Sequence, residues 1–143
     1  MSPIRVDFYL LNDSLPETRW GVSCRLLEKA YRGGPRVFVC CNNREDAVLL
    51  DERLWIYKEE SFVPHALEWD NLEPIPPIQI GCELPPNSTA DLVLNLASSV
   101  PLFSPTLRRI MEIVPAEDAA RALSRDHYRI YRSHQFELHT HTI

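Results

Sequence analysis

The chain has 143 residues, of which 45% are hydrophobic and 24% are charged. This length and composition are typical of a soluble globular protein, and they exclude a disordered chain, a collagen-like fibre and a disulfide scaffold. Because 20 acidic residues outnumber 15 basic ones, the net charge is -5, which argues against a protein that wraps duplex DNA non-specifically. We expect residues 1–143 to form a single domain, with a flexible tail at 136–143.

The cysteines and the apolar runs indicate the compartment. Cys24, Cys40, Cys41 and Cys82 form no CxxC pair, and free cysteine packs as a small hydrophobic residue. We therefore expect four core or near-core thiols in a reducing compartment, with a metal or redox site as the alternative. No secretory signal is evident, and no apolar run approaches the roughly 20 residues of a membrane span. These features predict a cytoplasmic protein that does not bind membranes.

Apolar periodicity and turn residues divide the chain into alternating strands and helices. The predicted strands lie at 4–11, 36–41, 78–82, 91–96 and 109–114, and the predicted helices lie at 19–31, from Asn42 or Asn43 to about 55, and at 117–134. The proline-rich stretch at 58–77 is expected to be irregular, and a short helical turn is expected at 104–107. The alternation predicts an α/β fold with a mostly parallel five-stranded sheet, flanking helices and a long C-terminal helix.

Motifs for nucleotide binding and nucleophilic catalysis are missing from the sequence. The chain has four glycines and contains neither GxGxxG nor GxxxxGK[ST], the loops whose glycines let a phosphate approach the backbone. It also has no GxSxG nucleophile elbow. The acidic pair Asp51-Glu52 fits a solvated helix face better than an acid/base pair. We expect no cofactor and no catalytic residue.

Three histidines crowd the C-terminal end of the chain, at His134, His139 and His141. On an extended strand, His139 and His141 share one side and could hold a metal ion. The sequence fixes no acidic or cysteine partner nearby, and chain ends are commonly mobile. We therefore favour the absence of a functional metal site.

The C-terminal helix carries a basic strip when its residues are placed at about 100° intervals. The strip consists of Arg121, Arg125, Tyr128, Arg129 and Arg132. The opposite side, expected to dock on the sheet, consists of Ala119, Leu123 and Ile130, with His127 and Tyr131 at its margin. The strip is either a solvated face paired with Asp118 and Asp126, or a binding surface for a short anionic ligand such as a carboxylate or an acidic peptide end. Arginines four residues apart repel each other, which weakens the case for a solvated face. The tyrosine adds an apolar contact that is useful at a binding surface, so we favour the second alternative.

Aromatic residues cluster between the end of the second predicted helix and the proline-rich stretch after it. They are Trp55, Tyr57, Phe62 and Trp69. Either this loop folds onto its own core, or it presents an exposed apolar patch that binds a partner protein.

Five short motifs, in this order, carry a resemblance to a known family. They are FYLL at 8–11, LDERLW at 50–55, ESFVPH at 60–65, IVPAED at 113–118 and RDHYRIYRSHQF at 125–136. Together they resemble the chi subunit of bacterial DNA polymerase III, over about residues 4–136. The resemblance implies a Rossmann-like α/β fold without enzymatic activity, in a subunit of the clamp-loader assembly of the replicative polymerase.

The resemblance also implies partners and binding residues. Chi proteins pair with the psi subunit and bind the acidic C-terminal tail of single-stranded-DNA-binding protein, which ends in a phenylalanine with a free carboxylate. They can also join a repair helicase in place of psi, so DNA would be contacted only indirectly. Carried over by motif, the tail-binding residues are Val114, Arg121, Arg125, Tyr128, Arg129 and Arg132. The psi interface would comprise Trp55, Phe62, Val63, Pro64 and His65. No metal or cofactor is implied.

Two functions of different classes follow from the sequence. The first is a non-catalytic adaptor, as the resemblance implies. The alternative is a small nucleotide-binding or hydrolytic enzyme on a Rossmann-like fold. The missing glycine loops and nucleophile motifs favour the adaptor.

Overall fold

The computed structural model describes residues 3–58 and 62–143. Within these residues the chain forms seven strands, three α-helices and a short 3-10 helix at Glu68–Asp70. The strands are β1 (Arg5–Leu10), β2 (Val37–Cys40), β3 (His65–Leu67), β4 (Ile78–Gly81), β5 (Leu92–Asn95), β6 (Arg109–Val114) and β7 (Glu137–Thr142). The helices are α1 (Pro16–Gly33), α2 (Arg44–Trp55) and α3 (Asp118–Ser133).

The strands form one sheet in the order β3-β4-β2-β5-β6-β1-β7. Every neighbouring pair is parallel, which confirms the predicted α/β class. Parallel strands need long crossover connections, and α1, α2 and α3 supply three of them. The central strands β2 and β5 read VFVC and LVLN and are buried at every position, as expected where both faces of a sheet are covered.

Two apolar clusters fill the two faces of the sheet. On one face, Leu27 of α1 and Leu50 of α2 join Val39 of β2. On the other face, Tyr131 of α3 joins Phe8 of β1. The helices that follow the first two strands thus share a face, and α3 lies alone on the opposite one.

Local signals in the sequence set the helix ends. Of the two predicted caps for α2, Asn43 is the one used, because its side chain accepts a hydrogen bond from the Asp46 amide at 2.8 Å. Helix α1 begins at Pro16 and ends before Gly34, whose φ of 94° lies in the left-handed region that glycine tolerates. The pair Gly33-Gly34 therefore marks the end of α1.

The sheet has two more strands than the sequence predicts, one at each edge. The three-residue strand β3 lies in the stretch expected to be irregular and pairs with β4. Strand β7 pairs with β1 along its full length, so the expected flexible tail at 136–143 is wrong. Five of the six residues of β7 are polar and none is buried, so this edge strand lacks the apolar run that would identify it in the sequence.

We predict that the amides of β7 facing β1 are protected from hydrogen exchange. The Glu137 amide donates to the Ile4 carbonyl at 2.9 Å, and the Ile143 amide donates to the Leu10 carbonyl at 3.1 Å. Exchange measured by NMR in heavy water is expected to be slower at Glu137 than in an unstructured peptide of the same sequence by about two orders of magnitude. Exchange at the unstructured rate throughout 137–142 would contradict the docked strand.

Candidate functional site

Helix α3 contacts the sheet through two polar aromatic residues rather than through its aliphatic side chains. His127 is 3% exposed and Tyr131 is fully buried, whereas Leu123 and Ile130 are 38% and 39% exposed. The expectation that Ala119, Leu123 and Ile130 dock on the sheet is therefore wrong. The helix is rotated by about a quarter turn from that orientation, at 100° per residue.

The rotation is set by the buried carboxylate of Glu112, in the middle of β6. Both oxygens lie within hydrogen-bond distance of His127 Nδ1, at 3.0 and 2.9 Å. Tyr131 donates its hydroxyl proton to Oε2 of the same carboxylate, and the Asn95 amide donates to it at 3.3 Å. A buried carboxylate without partners would cost several kcal/mol, so these contacts determine which side of α3 faces inward.

The environment of His127 favours its charged form. Burial is the largest influence and lowers the pKa, but the hydrogen bond and negative charge of Glu112 outweigh it, so the pKa is raised. The other ring nitrogen, Nε2, lies 2.7 Å from the Ser98 carbonyl, which can only accept a hydrogen bond. Both nitrogens therefore face acceptors, as an imidazolium requires. Burial and the charge of Glu112 likewise raise the pKa of Tyr131, which keeps its proton as a donor.

The basic strip lies on one flank of α3, on the side of β1. Arg121 at its N-terminal end is half-buried and donates from Nη2 to the Leu11 carbonyl at 2.7 Å. This arginine joins α3 to the loop after β1, so its role includes holding the fold. The sequence-based picture of five equally outward residues is corrected at this position.

The other members of the strip face solvent around Tyr128. Tyr128 is 39% exposed, and its ring centroid lies 5.7 Å from that of Phe8 in β1. Arg125 and Arg132, one turn to either side, are exposed, and neither side chain has a hydrogen-bond or ion-pair partner among the described residues. Arg129 is bound to Asp126 at 3.1 Å, so its charge is partly neutralised. The structure thus brings together one aromatic surface and two unpartnered guanidinium groups.

Val114, the remaining residue of the predicted tail-binding set, lies beneath the start of α3. It is 3% exposed and belongs to the apolar cluster of the α3 face. It lines a cavity of about 240 Å³ whose lining also includes Leu123 and Ser124. The members of the strip do not line that cavity. Val114 therefore supports the base of α3 and offers little surface of its own.

A second candidate surface lies at the end of α2. Trp55, Ile56 and Phe62 are 51%, 77% and 65% exposed. The Trp55 ring lies 5.5 Å from that of Phe62 and 4.5 Å from that of His65, measured between centroids. We call Trp55, Ile56 and Phe62 the aromatic patch. Single exposed apolar residues are ordinary, whereas three in one region are typical of an interface.

The other predicted residues of this region support the aromatic patch from below. Val63 and His65 are buried, and Pro64 is half-buried. His65 Nδ1 lies 2.6 Å from the Val63 carbonyl, which fixes the ring beneath Trp55. Glu60 and Ser61 of the ESFVPH motif lie outside the described residues.

Two of the three C-terminal histidines contact carboxylates in the described residues. His141 Nε2 lies 2.7 Å from Asp7 Oδ1, and His139 Nε2 lies 2.7 Å from Glu137 Oε2. Among residues 3–58 and 62–143, no group of three or more histidine, cysteine or acidic side chains is arranged to hold a metal ion. The sequence did not point to Asp7, the buried partner that fixes His141.

The thiols are free and largely enclosed. Cys24, Cys40 and Cys41 are buried, and Cys82 is half-buried, which confirms the core or near-core placement. Burial raises the pKa of Cys40 and of Cys41 to about 12, so thiolate, the reactive form, is scarce at neutral pH. In the described part of the chain, no helix has the length and apolar character needed to cross a membrane.

Sequence reasoning missed the residues that hold the candidate surfaces in place. Glu112, Asn95 and Asp7 lie inside strands that read as apolar. A polar residue in an otherwise buried strand signals an internal partner, because buried polar groups are nearly always hydrogen-bonded. The glutamate in RIMEIV therefore indicates that Glu112 has a buried partner, but the sequence does not show that this partner lies in α3.

The fold and its exposed side chains define a parallel α/β protein with a basic strip on one helix and an aromatic patch on the opposite face of the sheet. The family model described as DNA polymerase III chi subunit, HolC, matches residues 4–139. The chain therefore belongs to the DNA polymerase III chi subunit family, which functions in DNA replication.

Curated relatives agree with this assignment over nearly their full length. The DNA polymerase III subunit chi of Pseudomonas aeruginosa is 38% identical, with 97% of this chain and 96% of the relative covered. That of Escherichia coli is 33% identical, with 94% and 95% covered. That of Haemophilus influenzae is 31% identical, with 95% of each covered.

We predict that the stabilisation from His127 is lost as the pH rises. Because its folded-state pKa is raised above the ordinary value of about 6.5, its contribution is complete below that value and disappears as the pH passes through the folded-state pKa. The difference in free energy of unfolding between the wild type and His127→Gln, measured by urea denaturation, should be largest near pH 6 and shrink towards pH 9.

The control for this experiment is His134→Gln. That imidazole is exposed at the end of α3 and is bound by no carboxylate of the described residues. An equal change with pH for the two variants would show that the Glu112 contact is not the source.

Proposed function

We propose that this chain is a non-catalytic adaptor of the clamp-loader assembly of DNA polymerase III. In this role it binds a psi-like subunit through the aromatic patch and the acidic C-terminal tail of single-stranded-DNA-binding protein through the basic strip. The whole chain acts as one domain in the cytoplasm, and DNA is reached only through these partners. The observation that carries the proposal is the pair of unpartnered arginines, Arg125 and Arg132, on either side of Tyr128.

The basic strip suits a peptide that ends in a free carboxylate next to an aromatic residue. A guanidinium group can donate two parallel hydrogen bonds to a carboxylate, and no described residue accepts a hydrogen bond from the side chain of Arg125 or of Arg132. Tyr128, held against Phe8, presents part of its ring to solvent and offers a flat apolar contact for the terminal phenylalanine. The combination favours an acidic tail over a neutral peptide.

The remaining arginines contribute differently. Arg121 is held by the Leu11 carbonyl, and Arg129 is 73% exposed in its ion pair with Asp126. We infer that Arg129 attracts acidic residues of the tail at long range, because exposed charges raise association rates and are screened by salt. Arg121 forms the inner wall of the site while keeping its hydrogen bond to the loop after β1.

The aromatic patch is suited to a persistent protein partner. Trp55 and Phe62 are the type of residue that contributes most at interface centres, and the buried His65 ring supports Trp55 from beneath. The psi-like subunit is the occupant that family membership favours. A repair helicase that takes the place of psi would use the same patch, so the two partners would exclude each other.

An adaptor role also fits the carboxyl edge of the sheet, where nucleotides bind in related architectures. Asp13 lies at the start of α1, where its Oδ1 accepts the Leu15 amide at 3.0 Å and its Oδ2 accepts the Thr18 hydroxyl at 3.1 Å. A carboxylate at this position repels a phosphate. This observation favours the adaptor over the alternative of a nucleotide-binding or hydrolytic enzyme.

We predict that Arg125→Ala weakens binding of a tail peptide ending in phenylalanine about thirtyfold, equal to ~2 kcal/mol, because it removes the arginine from a charge pair that the bound tail would enclose. Arg132→Ala should have an effect of the same order. Arg129→Ala should cost less and reduce the dependence of affinity on salt concentration. Titration of a fluorescently labelled peptide at two salt concentrations measures both quantities.

Arg108→Ala is the matched control for these variants, since Arg108 is exposed and lies outside α3. Peptide affinity of this variant should equal that of the wild type. Equal, small losses for all four arginine variants would mean that the chain attracts the tail by diffuse charge and has no defined pocket.

We predict that Phe62→Asp separates the chain from a psi-like subunit, because it places a charge in a dry interface at a cost of several kcal/mol. Size-exclusion chromatography of the mixed subunits measures complex formation. Leu102→Asp is the control, because Leu102 is 50% exposed but lies outside the aromatic patch. Tail-peptide binding should be unchanged in both variants. Co-elution of Phe62→Asp with the psi-like subunit at wild-type levels would refute the assignment of the aromatic patch.

A further inference from the structure

A cavity of about 250 Å³ lies between the second half of α1 and the sheet, on the face opposite α3. Its apolar lining includes Leu26, Ala30 and Met111, and its polar lining consists of Tyr9, Lys29 and Arg109. We propose that this cavity is a binding site for a small organic anion, with an apolar body against the helix and the sheet and a carboxylate at Arg109 and Lys29.

Arg109 is held in a fixed orientation at the cavity. Its Nε donates to Asp7 Oδ2 at 2.7 Å and its Nη2 donates to the Tyr9 hydroxyl at 3.0 Å. Its Nη1 has no hydrogen-bond partner among the described residues. A guanidinium group that is fixed in this way loses little rotational freedom when it binds an anion.

The holding carboxylate, Asp7, is itself fully engaged. It is completely buried and accepts hydrogen bonds from Arg5, Arg109 and His141. Burial is the largest influence on its pKa and raises it, but these donors together outweigh burial and lower the pKa to about 2. Asp7 therefore stays charged and acts as a positioning residue for Arg109.

Positive charge at the cavity exceeds what its neighbours neutralise. Lys29 is exposed and forms no ion pair within the part of the chain that the structure describes. None of the described residues that line the cavity is acidic. Asp7 is shared between two arginines and His141. The lining thus presents two cations with spare hydrogen-bond donors to one small space.

Tyr9 adds a third donor. Its hydroxyl oxygen accepts from Arg109, and its own proton stays available for an acceptor in the cavity. Burial, the largest influence, raises the pKa of Tyr9, so the hydroxyl stays protonated at neutral pH. His141 stacks on the Tyr9 ring, with 4.9 Å between centroids and 19° between planes, and this stacking fixes the ring.

The lining selects the chemical class of the ligand. Aliphatic side chains do not stabilise a bound inorganic ion or a fully polar phosphate backbone. They do favour binding of an apolar group, because that group is transferred out of water. An apolar cavity of roughly 150 Å³ accommodates benzene, so this one has room for a ring with a short carboxylate. The site is distinct from the basic strip, because α3 lies on the other face of the sheet.

The test is a titration of the isotope-labelled full chain with 3-phenylpropionate, followed by backbone amide NMR shifts. We expect saturable shifts at residues 26–33 and around Arg109, and affinity at least about tenfold lower for the neutral 3-phenylpropionamide and for inorganic phosphate. Equal affinity for the amide or for phosphate, or shifts confined to residues 121–132, would overturn the proposal.

Two neighbouring arginines provide a matched pair of variants. Arg109→Gln should weaken 3-phenylpropionate binding about tenfold or more, and Arg108→Gln, which removes an exposed arginine outside the cavity, should leave it unchanged. If Arg109→Gln fails to fold, Lys29→Gln takes its place, because Lys29 is exposed and its replacement should not disturb the fold. Lys29→Gln should weaken 3-phenylpropionate binding about threefold or more. Equal losses at Arg108 and at the tested cavity residue would refute a defined site.

Discussion

The surface that α3 presents to a partner depends on one buried carboxylate. Glu112 lies in a strand of the sheet and accepts hydrogen bonds from His127 and Tyr131 of α3. Because the cost of an unpaired buried charge exceeds the gain from burying an additional leucine, this contact determines the rotation of the helix. Once that rotation is fixed, Arg125 and Arg132 must lie on the flank beside β1 and cannot turn inward.

Most of the sheet could be predicted from sequence because its central strands are apolar on both faces. A run such as VFVC has few alternatives to a buried strand once a helix flanks it on each side. The edge strands carry no such signal. Strand β3 has three residues, and β7 reads ELHTHT, so both depend on the neighbour that they pair with, and pairing across the chain is not visible in local sequence.

The basic strip was predictable from helical spacing, and the docking side of α3 was not. Periodicity places Leu123 and Ile130 together, and apolar residues that share a side normally face a core. Here the polar residues His127 and Tyr131 are inside, because Glu112 satisfies them. Knowing this in advance would have required the distance between two segments, which sequence spacing does not contain. The same limit explains Arg121, whose partner is a backbone carbonyl after β1.

The two candidate surfaces lie on opposite faces of one sheet, an arrangement that is compatible with the proposed adaptor role. The aromatic patch belongs to the side of α1 and α2, and the basic strip belongs to α3. A partner bound to one face would not cover the other, so the proposed role allows both partners to bind at once. Strand β1 contributes to both faces of the sheet. Its Phe8 contacts Tyr128 on the α3 face, and its Asp7 orients Arg109 on the opposite face. Alternation along a single strand thus supplies both faces of the sheet with a positioning residue.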